Sequence, residues 1–209
     1  MNGARQTVCL FVNGILTVPG DADNWTGKAV TWTHLHTPFR AEKIEYLSGA
    51  TLGRLLGQRR RAERLAHTLR FYVARGWRIV LAGHSNGCDV ILDALHAMGW
   101  PRIAELHLIS AACEADFSRN GLNAAALAGR VGGVTVYVAE RDWALKLAAT
   151  ATGRLLGYGT LGKTGPVNAE AAVEIVRRDF GHGGWFSESE LPATLNRITR
   201  AREGHHAGA

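Results

Sequence analysis

The chain has 209 residues, 46% of them hydrophobic and 20% charged, with a formal net charge of +6. These values fit one globular domain, expected over residues 1–202, and exclude a disordered or disulfide-dense chain. No apolar run approaches the length of a membrane span, so no transmembrane segment is expected.

Gln6–Val12 reads as a nearly all-apolar strand leaving through Asn13-Gly14-Ile15. Val8–Val18 has one preceding Arg, no small-residue cleavage site and Asn13-Gly14 in its middle, so a strand with its exit turn is expected there, not a signal peptide. Pro19 to Phe39 reads as an irregular polar connection holding Trp25, Trp32, His34 and His36, with a short strand over Lys28–Thr33. Glu42–Leu47 is a further short strand. A basic helix then runs from Gln58 to Arg75 and stops at Gly76. Its apolar stripe is Ala62, Leu65, Ala66, Leu69 and Val73, which leaves the arginines of QRRRAER on the opposite, solvated face. That face would alternatively suit an acidic partner, but no nucleic-acid motif accompanies it and no nucleic acid is expected.

Arg78–Ala82 is a buried strand, and a helix follows with apolar residues at 88, 91, 92, 95 and 98. Beyond Pro101 come a strand over Ile103–Ile109, a helix over Asn120–Gly129, and strands over Val134–Ala139 and Val173–Arg178. A closing helix passes through Leu191, Leu195 and Ile198, with Ser187 or Ser189 as N-cap and Pro192 in its first turn. Residues 203–209 read as a disordered tail. Strands alternating with helices imply an α/β fold: a mostly parallel central sheet with helices on both faces and active groups beyond the strands' carboxyl ends. Cys9, Cys88 and Cys113 sit in apolar runs without C-x-x-C spacing, as buried thiols in a reducing compartment do. The cytoplasm is the expected location.

Between the strand at Arg78 and the helix at Cys88 lies Gly83-His84-Ser85-Asn86-Gly87, a G-x-S-x-G in the strand–turn–helix setting of a nucleophile elbow. A serine hydroxyl needs a base within hydrogen-bonding reach and an acid to orient that base. His182, in the loop Asp179-Phe180-Gly181-His182-Gly183-Gly184-Trp185 after the last strand, is the best-placed base. His34 and His36 stay open as rivals, whereas His84, beside the serine, is expected to point elsewhere. Asp142, three residues past Val134–Ala139, is the leading acid, with Glu140 and Asp116 as competitors. The order Ser85, Asp142, His182 is the one this elbow requires.

With these residues the chain resembles the α/β-hydrolase superfamily of serine hydrolases, from the strand before Asn13-Gly14 through GHSNG and the ERD turn to FGHGGWF. The resemblance implies a serine esterase or related acyl hydrolase acting on a small-molecule acyl substrate, with no metal or organic cofactor. It implies an oxyanion hole from the backbone N–H groups of Asn86 and Ile15. Many members carry His-Gly in that turn, where this chain has Asn13-Gly14. The chain also begins almost at its first strand, a version trimmed at the N-terminus and without a separate cap domain. Asp21–Thr37 and Trp143–Asn168 are the segments available to cover the site. Asn13, Gly14, Trp143 and Trp185 are candidates for lining an acyl pocket. The competing expectation is an idle hydrolase fold serving as a binding module, its basic helix face meeting an acidic partner.

Overall fold

Six strands, the inner four largely apolar and β-branched, line up as one sheet in which every neighbouring pair is parallel. The computed structural model describes residues 6–14, 24–46, 51–148, 150 and 158–200. In chain order the elements are β1 (Thr7–Val12), α1 (Trp25–His36), β2 (Arg40–Ile44), α2 (Thr51–Ala74), β3 (Arg78–His84), α3 (Asn86–Ala97), β4 (Glu105–Ile109), α4 (Leu122–Leu127), β5 (Val134–Ala139), α5 (Trp143–Ala148), α6 (Leu161–Thr164), β6 (Val173–Arg178) and α7 (Leu191–Thr199). A 3₁₀ turn at Gly184–Phe186 precedes α7. No described helix is long and apolar enough to cross a membrane.

The strands lie in the order β2-β1-β3-β4-β5-β6. From β1 the chain steps one way to β2, then returns across β1 to β3 and continues in the other direction. The winding therefore reverses between β1 and β3, where the crossover helices leave toward opposite faces and a crevice opens beyond the carboxyl ends. Val12 pairs with Gly83 there, so Asn13-Gly14 and His84-Ser85 emerge side by side.

Alternation along the strands divides the core. Val8, Leu10, Val12, Ile79, Leu81, Leu106, Leu108, Val136 and Val138 face α2, α3, α4 and α6. Each fully buried leucine or isoleucine there stabilises the fold by about 1.5–3 kcal/mol. Cys9, Phe11, Val80, Ala82, Ile109 and Tyr137 form the other face, covered by Trp25 and Ala29 of α1, by Trp185, and by Leu195 and Ile198 of α7. This second face also buries a polar chain. Glu105 pairs with Arg78 and lies 3.4 Å from His107 Nε2, while His107 Nδ1 is 3.0 Å from the Tyr137 hydroxyl.

The expected strand at Lys28–Thr33 is instead part of α1. A parallel β1–β2 pair needs a crossover, and beyond Trp25 the residues this helix buries are Thr26, Ala29 and Thr33, too small or polar to show a helical stripe. Asn24 caps it, accepting the Thr26 N–H. The second strand starts earlier than expected, at Arg40, and α2 starts at Thr51 and not at Gln58. Gly76, with φ +68°, follows the end of α2 as read, and β5 and β6 have the expected bounds. Neither Ser187 nor Ser189 caps α7 with its side chain: Glu190 is the cap residue, and the Ser187 carbonyl accepts the Leu191 N–H. Residues 203–209 lie outside the described ones.

Candidate active site

The elbow is fixed by backbone packing. Ser85 has φ 54° and ψ −124°, a conformation L residues rarely hold unless their surroundings impose it. Its N–H donates to the Ile109 carbonyl and its own carbonyl accepts the Cys88 and Ala112 N–H groups. A Cβ at Gly83 would stand 2.7 Å from Ile91 Cδ1 and 3.1 Å from Cys88 N; one at Gly87 would stand 2.5 Å from the Asn13 carbonyl oxygen. Only glycine allows the strand, the helix and the end of β1 to approach so closely. Gly14 touches the same turn, since a Cβ there would lie 3.0 Å from Ser85 Cβ.

Asn86 is the first residue of α3, so its amide belongs to the helix's positive end. Its side chain donates to Gln58 Oε1 at 3.4 Å. Asn13 is buried, and its carbonyl accepts the Tyr46 hydroxyl at 2.6 Å. Ile15 lies outside the described residues.

Asp142 follows the carboxyl end of β5 and is fully buried. One carboxylate oxygen accepts the Leu145 N–H at 2.9 Å, capping the first turn of α5; the other lies 2.6 Å from His182 Nδ1. The carboxylate is thus fixed at both oxygens, and the proton it binds must sit on Nδ1, leaving Nε2 as the acceptor in the neutral ring. Among the described residues no hydrogen bond joins Ser85 Oγ to His182. Such links are often long in substrate-free sites.

The competing residues are engaged elsewhere. Asp116 accepts the Ser118 N–H within its own loop and the side-chain N–H of Asn168 from the segment before β6. Glu140 is exposed, and Arg141 pairs with Asp179 at 2.5 Å. His34 and His36 end α1, near the amino end of β2 and so at the opposite end of the strands from Ser85; His34 Nε2 accepts the Ala41 N–H and His36 stacks on Trp32. Burial pushes the Cys9 thiol up to about 12 and raises Cys88 and Cys113, so none of the three supplies a thiolate.

Two pocket candidates are corrected. Trp185 is 1% exposed and packs edge-on against Tyr137 and Phe180, so it belongs to the core. Trp143 is 67% exposed, so it stands on the surface of α5 and not in an enclosed pocket. Neither proposed covering segment is free over its described part. Residues 24–36 form the cap and helix of the first crossover. Residues 159–162 lie against the chain after β4: the Gly159 and Gly162 N–H groups donate to the Ala112 and Ala111 carbonyls, and a Cβ at either glycine would collide with that backbone.

One residue of the site is absent from the sequence-based set. His84 does not point away: its Nε2 lies 3.2 Å from the His182 carbonyl oxygen, and its ring meets those of His182, Phe186 and Trp25. Burial, and then the neighbouring His182, push its pKa down to about 3. Strand alternation was the available signal, since the residue before the serine leaves the sheet on the face opposite Gly83.

No protein-family model matches the sequence, and no curated protein matches it. Solved structures do match. A hydrolase of the alpha/beta superfamily from Xanthomonas campestris pv. campestris is 20% identical, with a TM-score of 0.57 over 92% of this chain and 95% of that one. The NocB thioesterase domain from the nocardicin cluster is 17% identical, with a TM-score of 0.50 over 95% and 94%. An esterase from Pyrobaculum calidifontis is 14% identical, with a TM-score of 0.50 over 95% of this chain and 76% of that one. With the six-stranded parallel sheet, these similarities identify the architecture of the chain as the α/β-hydrolase fold.

Proposed function

We propose that the protein is a serine hydrolase that cleaves a carboxylic ester or related acyl bond through an acyl-enzyme. The observation that carries this reading is the buried Asp142 carboxylate, 2.6 Å from His182 Nδ1, with His182 anchored beside a strained serine at the switch point of the sheet. A buried carboxylate tied to imidazole Nδ1 sets the tautomer that accepts a proton at Nε2.

Ser85 Oγ attacks the acyl carbonyl carbon as His182 Nε2 takes the hydroxyl proton. The carbonyl oxygen becomes an oxyanion held by the backbone N–H groups of Asn86 and Ile15; losing one such donor typically costs about a hundredfold or more in rate. The carbon–oxygen bond to the leaving alcohol then breaks, and His182 gives that oxygen its proton. Water, deprotonated by His182, repeats the attack and returns Oγ–H to Ser85. Asp142 holds the imidazolium throughout. Gly14, where an added Cβ would lie 3.0 Å from Ser85 Cβ, borders the serine. The solved structures of similar fold include an esterase and a thioesterase domain, which supports acyl transfer as the reaction class.

A panel of p-nitrophenyl esters of increasing chain length tests the reading, with Ser85→Ala as control. Turnover that disappears in the variant supports it. Equal turnover in both proteins contradicts it, and absence of turnover with every ester and thioester tried favours the idle binding module.

A further inference from the structure

We propose that His84 is a positioning residue, whose ring N–H ties the backbone of His182 to the nucleophile elbow and so sets where the base meets Ser85. The proposal rests on the reading of Ser85 and His182 as nucleophile and base. The His182 loop has little packing of its own: an added Cβ at Gly181 or Gly183 would meet nothing within 4 Å. Large apolar side chains anchor its flanks, where Phe180 meets Trp185 and Phe186 stacks on Trp25. Between those flanks His182 is held at two points, its ring by Asp142 and its carbonyl by His84.

The direction of the second bond follows from its acceptor. A carbonyl cannot donate, so His84 Nε2 carries the proton and Nδ1 is bare, on the side of Gly14, where a Cβ would lie 3.5 Å from it. His84 is covalently next to Ser85, and its ring lies against His182 with centroids 4.7 Å apart. One side chain therefore spans the loop after β1, the elbow and the base. A second cation at that separation would oppose the imidazolium that His182 must form, and enclosure by Trp25, Phe186 and His182 keeps His84 a neutral donor.

The test compares His84→Leu, which fills similar space without a donor, with His84→Gln, whose amide N–H can reach the same carbonyl. Two quantities are read: kcat and KM on p-nitrophenyl acetate, and the downfield proton NMR signal of the Asp142–His182 hydrogen bond. His84→Leu should lower kcat by about tenfold to a hundredfold with KM little changed, and should broaden that signal, as expected for a misplaced base. His84→Gln should restore both to near the wild-type values. A leucine variant with wild-type kcat and a sharp signal overturns the proposal, as does a glutamine variant no better than leucine. If circular dichroism shows His84→Leu unfolded, His84→Met replaces it under the same criteria. The NMR signal needs no turnover. A signal that responds to His84 in a protein without esterase activity upholds the tether and contradicts only the esterase reading.

Discussion

Two turns meet at the candidate site, and they are held in opposite ways. The elbow at Ser85 is wedged: Gly83 and Gly87 have backbone or core atoms within 2.5–3.1 Å of where a Cβ would go, and the strained φ of 54° is imposed by that packing. The loop at His182 is tethered: Gly181 and Gly183, on either side of His182, face open space, and hydrogen bonds to Asp142 and His84 fix the residue between them. A wedged turn places its atoms through covalent geometry and tolerates no added bulk. A tethered loop accepts bulk and depends on its partners. The nucleophile must occupy one position throughout an acyl transfer, whereas the base serves oxygen atoms at more than one position.

Breaking a tether should have the largest effect. Asp142→Asn keeps the shape of the carboxylate but stabilises the wrong imidazole tautomer, a change that costs about ten-thousandfold in a serine protease. A fall in kcat of at least about a hundredfold, with little change in thermal midpoint, is the expected result. Breaking the wedge should act on folding: Gly87→Ala drives a methyl group into the Asn13 carbonyl and should destabilise by about 1–3 kcal/mol in denaturant titration. Gly181→Ala, in open space, should stay within about 0.5 kcal/mol of wild type in the same titration.

Acid should expose the buried imidazole. His84 binds its proton at a pKa of about 3 in the fold and near its ordinary 6.5 when unfolded. Between those values the unfolded chain takes up more protons, so this group's contribution makes stability fall as pH falls and rise as pH rises. The thermal midpoint of wild type should therefore drop more steeply on acidification through that window than the midpoint of His84→Gln. Equal pH dependence of the two proteins would contradict a buried neutral His84. The smallest activity effects belong to the competing acids. Glu140→Gln, exposed, and Asp116→Asn, bonded to Ser118 and Asn168, should each lower kcat by less than about tenfold in steady-state assays.

What the sequence reveals follows from where side chains alternate in bulk. β5 and β6 have the bounds read from their β-branched runs, and the reversal between a buried strand and an amphipathic helix locates the elbow. The crossover α1 is hidden because it buries Ala29 and Thr33 where a larger protein face would use leucine. The start of α2 is hidden by Gly53 and Gly57, which read as breaks; Gly57 instead makes room for the Arg61 guanidinium, 2.8 Å from where its Cβ would stand. Strand order is a property of the assembled sheet, so the adjacency of Asn13-Gly14 to Ser85 appears only there. Strand alternation gives the face on which His84 leaves the sheet, but its partner, the His182 carbonyl 98 residues away, appears only in the assembled fold.

The central claim is that Ser85 is the activated nucleophile, and covalent labelling tests it most directly. A fluorophosphonate reacts fast only with a serine whose proton can be removed. Intact-mass measurement and peptide mapping should find one adduct, on Ser85, absent from Ser85→Ala and formed much more slowly in Asp142→Asn. An adduct on a different serine, or labelling of wild type no faster than of Asp142→Asn, would contradict the account.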